Sequence, residues 1–168
     1  MTSPPPGARR VSVGIGQIAI SQDPNEVLVA YGLGSCIGVT AFDAQAKLGG
    51  MAHVLLPDSA GKAADPREPA RFADTGIDLL IKRLCEGGAL PRRLVMKLAG
   101  GAAVLGPASA EKFKIGERNA EAIRERLKQH GISPCAVDMG GTRGRTLEVF
   151  VGTGKTFVRT AAAPAREL

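Results

Sequence analysis

The stretch VLVAYGLGSCIGVT, residues 27–40, carries one apolar run into a glycine-spaced turn and a second apolar run out of it. β-branched residues on both sides read as strands, and Gly32 and Gly34 supply the backbone freedom a sharp reversal needs. Cys36 stands at the end of that turn, where a packed structural thiol is not expected. Such a turn is expected to expose the thiol. It also brings the amides of Gly34, Ser35 and Cys36 together beside the sulfur as donors to a developing oxyanion. The same donors favour the thiolate, the form that attacks.

A nucleophilic cysteine needs a base, and the chain has two histidines. His53 lies in GGMAHVLLP (49–57), in the next strand-like run, where strand pairing can bring it beside Cys36. A histidine inside an apolar strand is equally at home as a packed core residue, so both readings stand on chemistry alone. His130 ends a helical pattern just before Gly131, where a cation complements the helix dipole, and is read as structural. Cys85 on a helical apolar face and Cys135 at the head of an apolar strand are read as small core residues.

Around this centre the pattern is that of a strand-rich α/β protein. VSVGIGQIAIS (11–21) reads as one strand, followed by 26–32, 36–43 and 50–57. Residues 57–71 form a polar, proline-bearing loop of a length often used as a lid or binding edge. Ile77, Leu80, Ile81, Leu84 and Cys85 recur at helical spacing from Phe72 to Gly87. A strand over 93–99 is followed by a helix over about 117–130, with Ala120, Ile123 and Leu127 on one face and Gly131 as its stop. Residues 134–159 read as strands broken by GGTRG and GTGKT. The fold class expected is α/β: a layered sandwich with a mixed, strand-rich sheet and two main helices in a single domain over 11–160. The Pro/Ala-rich ends, 1–10 and 161–168, are expected as flexible tails.

Composition narrows the function classes. The chain has 168 residues, 44% apolar and 4% aromatic, with no Trp and a formal net charge of +6. A basic balance suits an acidic partner, yet the arginines are scattered pairs and no aromatic platform interleaves them, which argues against nucleic acid. Three cysteines (36, 85, 135) without a CxxC pair argue against a disulfide framework or a zinc site. No apolar run approaches a membrane span, so a cytoplasmic protein without membrane insertion, cofactor or metal is expected.

GTGKT (152–156) lacks the first glycine of a P-loop, Val149 standing there, and is read as a hairpin turn. GIG (14–16) and GLG (32–34) miss the third glycine of a dinucleotide fingerprint. GGAA (100–103) and GGTRGR (140–145) are read as tight turns, with anion-holding backbone nests as the alternative.

Taken together, GLGSC-IGVTAFD, KLGGMAHVLLPDS, FADTGIDLLIKRL, KLAGGA, IGERNAEAIRERLKQHGI and DMGGTRGRTLEVFVGTGK resemble, in order, successive blocks of the CheD family of bacterial chemoreceptor glutamine deamidases. The resemblance covers roughly residues 11–159. It implies a layered α/β sandwich related to a deamidating toxin domain. The implied activity is a cysteine-dependent amidohydrolase converting glutamines of chemoreceptor cytoplasmic helices to glutamate, with receptor methyl-ester hydrolysis in some members. The family's nucleophile falls on Cys36 and its histidine on His53. A threonine that assists the histidine in some members falls on Ala30, which has no hydroxyl, so what orients His53 is left to a backbone carbonyl or another side chain. The implied partners are the chemoreceptor cytoplasmic domain and a CheC-type phosphatase. A weakly catalytic activator of such a phosphatase is the alternative function.

Overall fold

Among the described residues, apolar runs separated by glycine turns give ten strands in two mixed sheets. The computed structural model describes the backbone of residues 6–104 and 110–168 and the side chains of 6–104 and 114–168. Residues 1–5, part of the expected N-terminal tail, lie outside the described residues. The first sheet has the order β1 (Arg9–Ser12), β3 (Glu26–Leu33), β8 (Arg145–Phe150), β9 (Thr156–Thr160), β10 (Arg166–Glu167). The second has the order β2 (Ile18–Ser21), β5 (Leu48–Val54), β4 (Ile37–Asp43), β6 (Val95–Gly100), β7 (Ala136–Met139). The expected α/β sandwich with two main helices is therefore present, with two sheets stacked where one was read.

Alternation along each strand sorts the side chains into layers. Ile37, Val39, Ala41, Ala52 and Val54 point to the helix side of the second sheet. There they meet Ile77, Leu80 and Leu84 of α1 (Ala73–Glu86) and Ile123 and Leu127 of α2 (Ala110–Gln129). Met51, Ala99 and Cys36 point the other way, into a core shared with Leu28, Ala30 and Leu33 of β3 and Leu147 and Val149 of β8. Fully burying side chains of this size stabilises by about 1.5–3 kcal/mol each, enough to set which face looks where.

Several local readings are corrected. The run 11–21 is two strands in different sheets, because the chain turns at Gly14–Gln17, with Gly16 at φ +78° and Gln17 N–H donating to Gly14 O. The second helix begins at Ala110, earlier than its apolar face suggests. Cys135 is exposed, since it leads into β7, an edge strand. The C-terminal end is held more firmly than its composition implies. β10 pairs with β9, Leu168 N–H donates to Thr156 O, and Lys97 Nζ donates to Leu168 O.

Other readings hold. GTGKT is the β8–β9 turn, closed by Gly154 N–H to Phe150 O at 2.7 Å. His130 ends α2 and ties it to α1 through Nε2 to Asp78 Oδ1 at 2.7 Å. No helix among the described residues is long and apolar enough to cross a membrane.

Strand β3 belongs to one sheet and β4 to the other, so the chain changes sheets at Gly34-Ser35-Cys36. It changes again at 13–17 between β1 and β2, and at 140–144 between β7 and β8. These three of the four crossings lie at one rim: Leu33 pairs with Arg145, Ile37 with Val54 and Gly100, Gly100 with Met139, and Gly16 N–H donates to His53 O. The fourth, at 22–25 between β2 and β3, lies at the other end.

The opposite end of β4 is fixed by Asp43, which is fully buried. Its carboxylate accepts from the amides of Gln45, Ala46 and Leu90 and from Arg93 Nε at 2.8 Å. Burial pushes this carboxyl up, but the Arg93 guanidinium and the three amides outweigh it and hold it at about 2. A depression of that size corresponds to roughly 2 kcal/mol of folding stability, present above the unfolded value near 4 and lost as pH falls toward 2. Urea titrations between pH 7 and 2 should show this loss in the wild type and not in Asp43→Ala. That variant should already be weaker by about 3–5 kcal/mol at pH 7, because it strands Arg93 and three amides.

Candidate active site

The three crossings and the turn after β6 enclose Cys36 and His53. Cys36 ends the β3–β4 crossing, and the residue is buried, 7% exposed. The expectation of an exposed thiol is corrected here. The glycines do bend the chain, but they bend it between two sheets, so the side chain is delivered into the layer they share. Burial raises the Cys36 pKa above the ordinary thiol value, opposed in part by its own backbone amide.

Its surroundings are made of backbone. Gly100 has φ +126°, and a Cβ on it would lie 2.2 Å from Cys36 O. This close approach lets Gly101 N–H donate to Cys36 O at 2.9 Å and Ala102 N–H donate to Gly34 O at 2.7 Å. The other glycine turn joins in, with Gly140 N–H donating to Gly100 O and Ala103 N–H to Gly141 O. GGAA and GGTRGR are thus tight turns that wall the site. Among the described residues, the amides of Gly34, Ser35 and Cys36 have no recorded acceptor, whereas the Gly34 and Cys36 carbonyls are both engaged.

His53 is 2% exposed and faces Gly38 across the β4–β5 ladder. It shares the inter-sheet face with Met51, two residues before it, and Cys36, two residues before Gly38, takes the diagonal position on the same face. The imidazole Nδ1 lies 3.0 Å from Val13 O. A carbonyl only accepts, so Nδ1 carries the proton and, in the neutral ring, Nε2 carries the lone pair. Nε2 is buried with no hydrogen-bond partner among the described residues. Burial lowers the His53 pKa below its ordinary value, with the Val13 carbonyl pulling the other way.

What orients His53 is therefore a backbone carbonyl. Ala30, fully buried in the inter-sheet core, supplies no polar atom. Val13 O had no sequence signal, because any residue there offers the same group. Asn119 was also missed, and it was findable: it lies three residues after Gly116 and four before Ile123, on the buried face of α2.

Arg10, at 40% side-chain exposure, and the exposed Tyr31 lie on the outer side of the first sheet, away from this layer. The long loop 57–71 meets the rim in its second half. Pro66, Arg67 and Pro69 line a cavity with Ser12, Val13 and Gln17, and Ala70 N–H donates to Gly16 O at 2.7 Å, while Gly16 N–H donates to His53 O at 2.8 Å. Among the described residues, no three His, Cys, Asp or Glu side chains come together as a metal site would require.

A family model described as CheD chemotactic sensory transduction matches residues 55–160. A protein of Symbiobacterium thermophilum named probable chemoreceptor glutamine deamidase CheD is 42% identical over 161 residues, 95% of this chain and 98% of that one. This chain belongs to the CheD family. A probable chemoreceptor glutamine deamidase CheD of Thermococcus kodakarensis is 43% identical over 89% of this chain and 91% of its own. The chemoreceptor glutamine deamidase CheD of Thermotoga maritima is 44% identical over 88% of this chain and 89% of its own. The family-model match begins beyond Cys36 and His53, so for this CheD chain it is the geometry above that bears on those two residues.

Two measurements check this geometry. Gly100→Ala should be destabilised by more than about 3 kcal/mol, because both its φ and its Cβ are disallowed. Gly131→Ala, at φ +70° with open space around it, should lose only about 1–2 kcal/mol. Iodoacetamide, followed peptide by peptide in the free protein at pH 7.5, should label exposed Cys135 well before Cys36, and Cys36 labelling should climb into the alkaline range.

Proposed function

We propose that this chain is a cysteine-dependent protein-glutamine deamidase, acting in the cytoplasm on the helices of chemoreceptors, with Cys36 as nucleophile and His53 as base. The observation that carries this reading is the His53 imidazole. Its Nδ1–H is committed to Val13 O, and its other nitrogen is a buried acceptor without a partner on the face it shares with Cys36. A core histidine with only a packing role is expected to have both nitrogens satisfied. Family membership and the relatives' names supply the substrate class.

The pKa directions favour one form of the chemistry. Burial raises the thiol and lowers the imidazole, so both changes oppose a resting thiolate–imidazolium pair. Cys36 then attacks as a thiol whose proton passes to His53 Nε2 as the C–S bond forms. The glutamine carbonyl oxygen becomes an oxyanion, for which the unengaged amides of Gly34, Ser35 and Cys36 are the candidate donors; one such donor is typically worth about 3 kcal/mol. His53 returns the proton to the departing ammonia, leaving a thioester on Cys36. Water, deprotonated by the same Nε2, adds to the thioester carbonyl; the C–S bond then breaks, the Cys36 sulfur takes the proton back from His53, and the glutamate side chain is released. An ester carbonyl fits the same sequence, with methanol departing in place of ammonia.

The net charge of +6 suits an acidic substrate surface and an encounter rate that salt weakens. A second reading rests on the burial of Cys36: a weakly catalytic CheD that serves chiefly as the binding partner of a CheC-type phosphatase.

Mass spectrometry of a purified chemoreceptor cytoplasmic fragment separates the two. Wild type should convert glutamine to glutamate, Cys36→Ala should not, and Cys36→Ser should retain almost no turnover. Conversion by Cys36→Ala would sink the covalent scheme, whereas tight binding with no conversion by wild type would favour the partner role. The acid limb of kcat/KM should fall below pH 6.5, the ordinary histidine value, because a protonated His53 is no longer a base.

A further inference from the structure

Asn119 is fully buried in α2, among residues that are otherwise apolar or small, and its amide is spent on two backbone carbonyls. Nδ2 donates to Ser35 O at 3.1 Å and to Leu55 O at 2.9 Å. Ser35 immediately precedes Cys36, and Leu55 follows His53 by two residues. The last pair of the β4–β5 ladder is Ile37 with Val54. Past it the two chains part, and Leu55 N–H turns away to Arg71 O. Ladder hydrogen bonds thus stop one residue short of Cys36, and Asn119 takes the two carbonyls that the separation leaves over. Among the described residues neither carbonyl has another donor.

The helix reaches this point because of Gly116, one turn earlier on the same face. A Cβ there would lie 2.7 Å from Gly101 O, and Gly101 N–H in turn donates to Cys36 O. Two acceptors also fix which end of the carboxamide is the NH2 group, since the reverse orientation would set an oxygen against two carbonyl oxygens.

We propose that Asn119 is a positioning residue: its amide holds the Cys36 turn against the His53 strand at the one place where the sheet does not. This rests on the reading of Cys36 and His53 as nucleophile and base. Neither reactant is touched by Asn119, so its removal should leave substrate binding nearly intact and misplace the attack.

The test uses the full chain, with Asn119→Ala and the isosteric Asn119→Asp, on a purified chemoreceptor cytoplasmic fragment, alongside thermal unfolding. Both variants should lose about 10²-fold in kcat at pH 7.5 with KM within about 3-fold, the cost of a misplacement near 1 Å. Protonated aspartic acid can donate one hydrogen bond and the carboxylate none, so activity of Asn119→Asp relative to wild type should recover as pH is lowered toward 5.5. Iodoacetamide labelling of the Cys36 peptide should change at least about 10-fold in both variants, a readout that needs no turnover.

Wild-type kcat and unchanged Cys36 labelling in the variants would overturn the assignment. So would a loss confined to KM, a pH-independent Asn119→Asp ratio, or failure of Asn119→Asp to fold. Should wild type prove inactive on the fragment while labelling still shifts, the deamidase reading fails and the clamp stands.

Discussion

The site depends on one steric constraint: the chain after β6 must pass against the carbonyl of Cys36 at a distance that no side chain tolerates. Gly100 meets that constraint, and its missing Cβ lets the next two amides close on the carbonyls of Cys36 and Gly34. With those oxygens tied back, the amides of the same turn are left facing other partners. One turn of backbone thereby serves as an anchor on its carbonyl side and as a candidate oxyanion cradle on its amide side. The close approach of Gly116 to Gly101 extends the stack into α2, so a helix, a glycine turn and the Cys36 turn are in register without a side chain between them.

Stacked sheets explain why the site sits where it does. A chain that builds two sheets in alternation has to cross between them, and each crossing interrupts a ladder and leaves backbone groups unpaired. Here three crossings share one rim, so the unpaired groups of each can satisfy, or be left beside, those of the others. Val13 O and Ser35 O are both such groups. One receives the His53 Nδ1–H and the other the Asn119 amide. The candidate chemistry is assembled from the places where the sheets are incomplete.

Much of this was legible beforehand, for identifiable reasons. The spacing of Ile77, Leu80 and Leu84 located α1, and Gly131 located the end of α2, because helix periodicity and a left-handed stop are local properties. The β8–β9 turn followed from the failure of GTGKT as a P-loop. Cys36 and His53 stood out by residue type and setting, and the register that brings them to one face is what strand pairing of 36–43 with 50–57 makes available. The exposure of Cys36 was misread because a glycine turn looks the same whether it faces water or a second sheet. Cys135 was misread because an edge strand and a central one share the same composition. The run 11–21 hid a change of sheet behind continuous alternation. Val13 O lay beyond any reading of side chains.

The Ala30 position shows how a backbone group can stand where a side chain is expected. Val13 N–H donates to Val29 O, so the β1 backbone runs directly alongside β3 at the residue before Ala30. A threonine at this position would offer a hydroxyl instead; a hydroxyl can donate as well as accept, and it rotates. The Val13 carbonyl can only accept and is held by the sheet. It therefore fixes the His53 tautomer, with the proton on Nδ1 and the lone pair on Nε2, without drawing on any side-chain rotamer. A methyl group at residue 30 adds apolar volume to the inter-sheet core. On this reasoning Ala30 and the Val13 carbonyl form one device. Introducing a hydroxyl by Ala30→Thr would place a further polar group in a layer where the His53 Nδ1–H is already committed to Val13 O, leaving Nε2 as the open acceptor there.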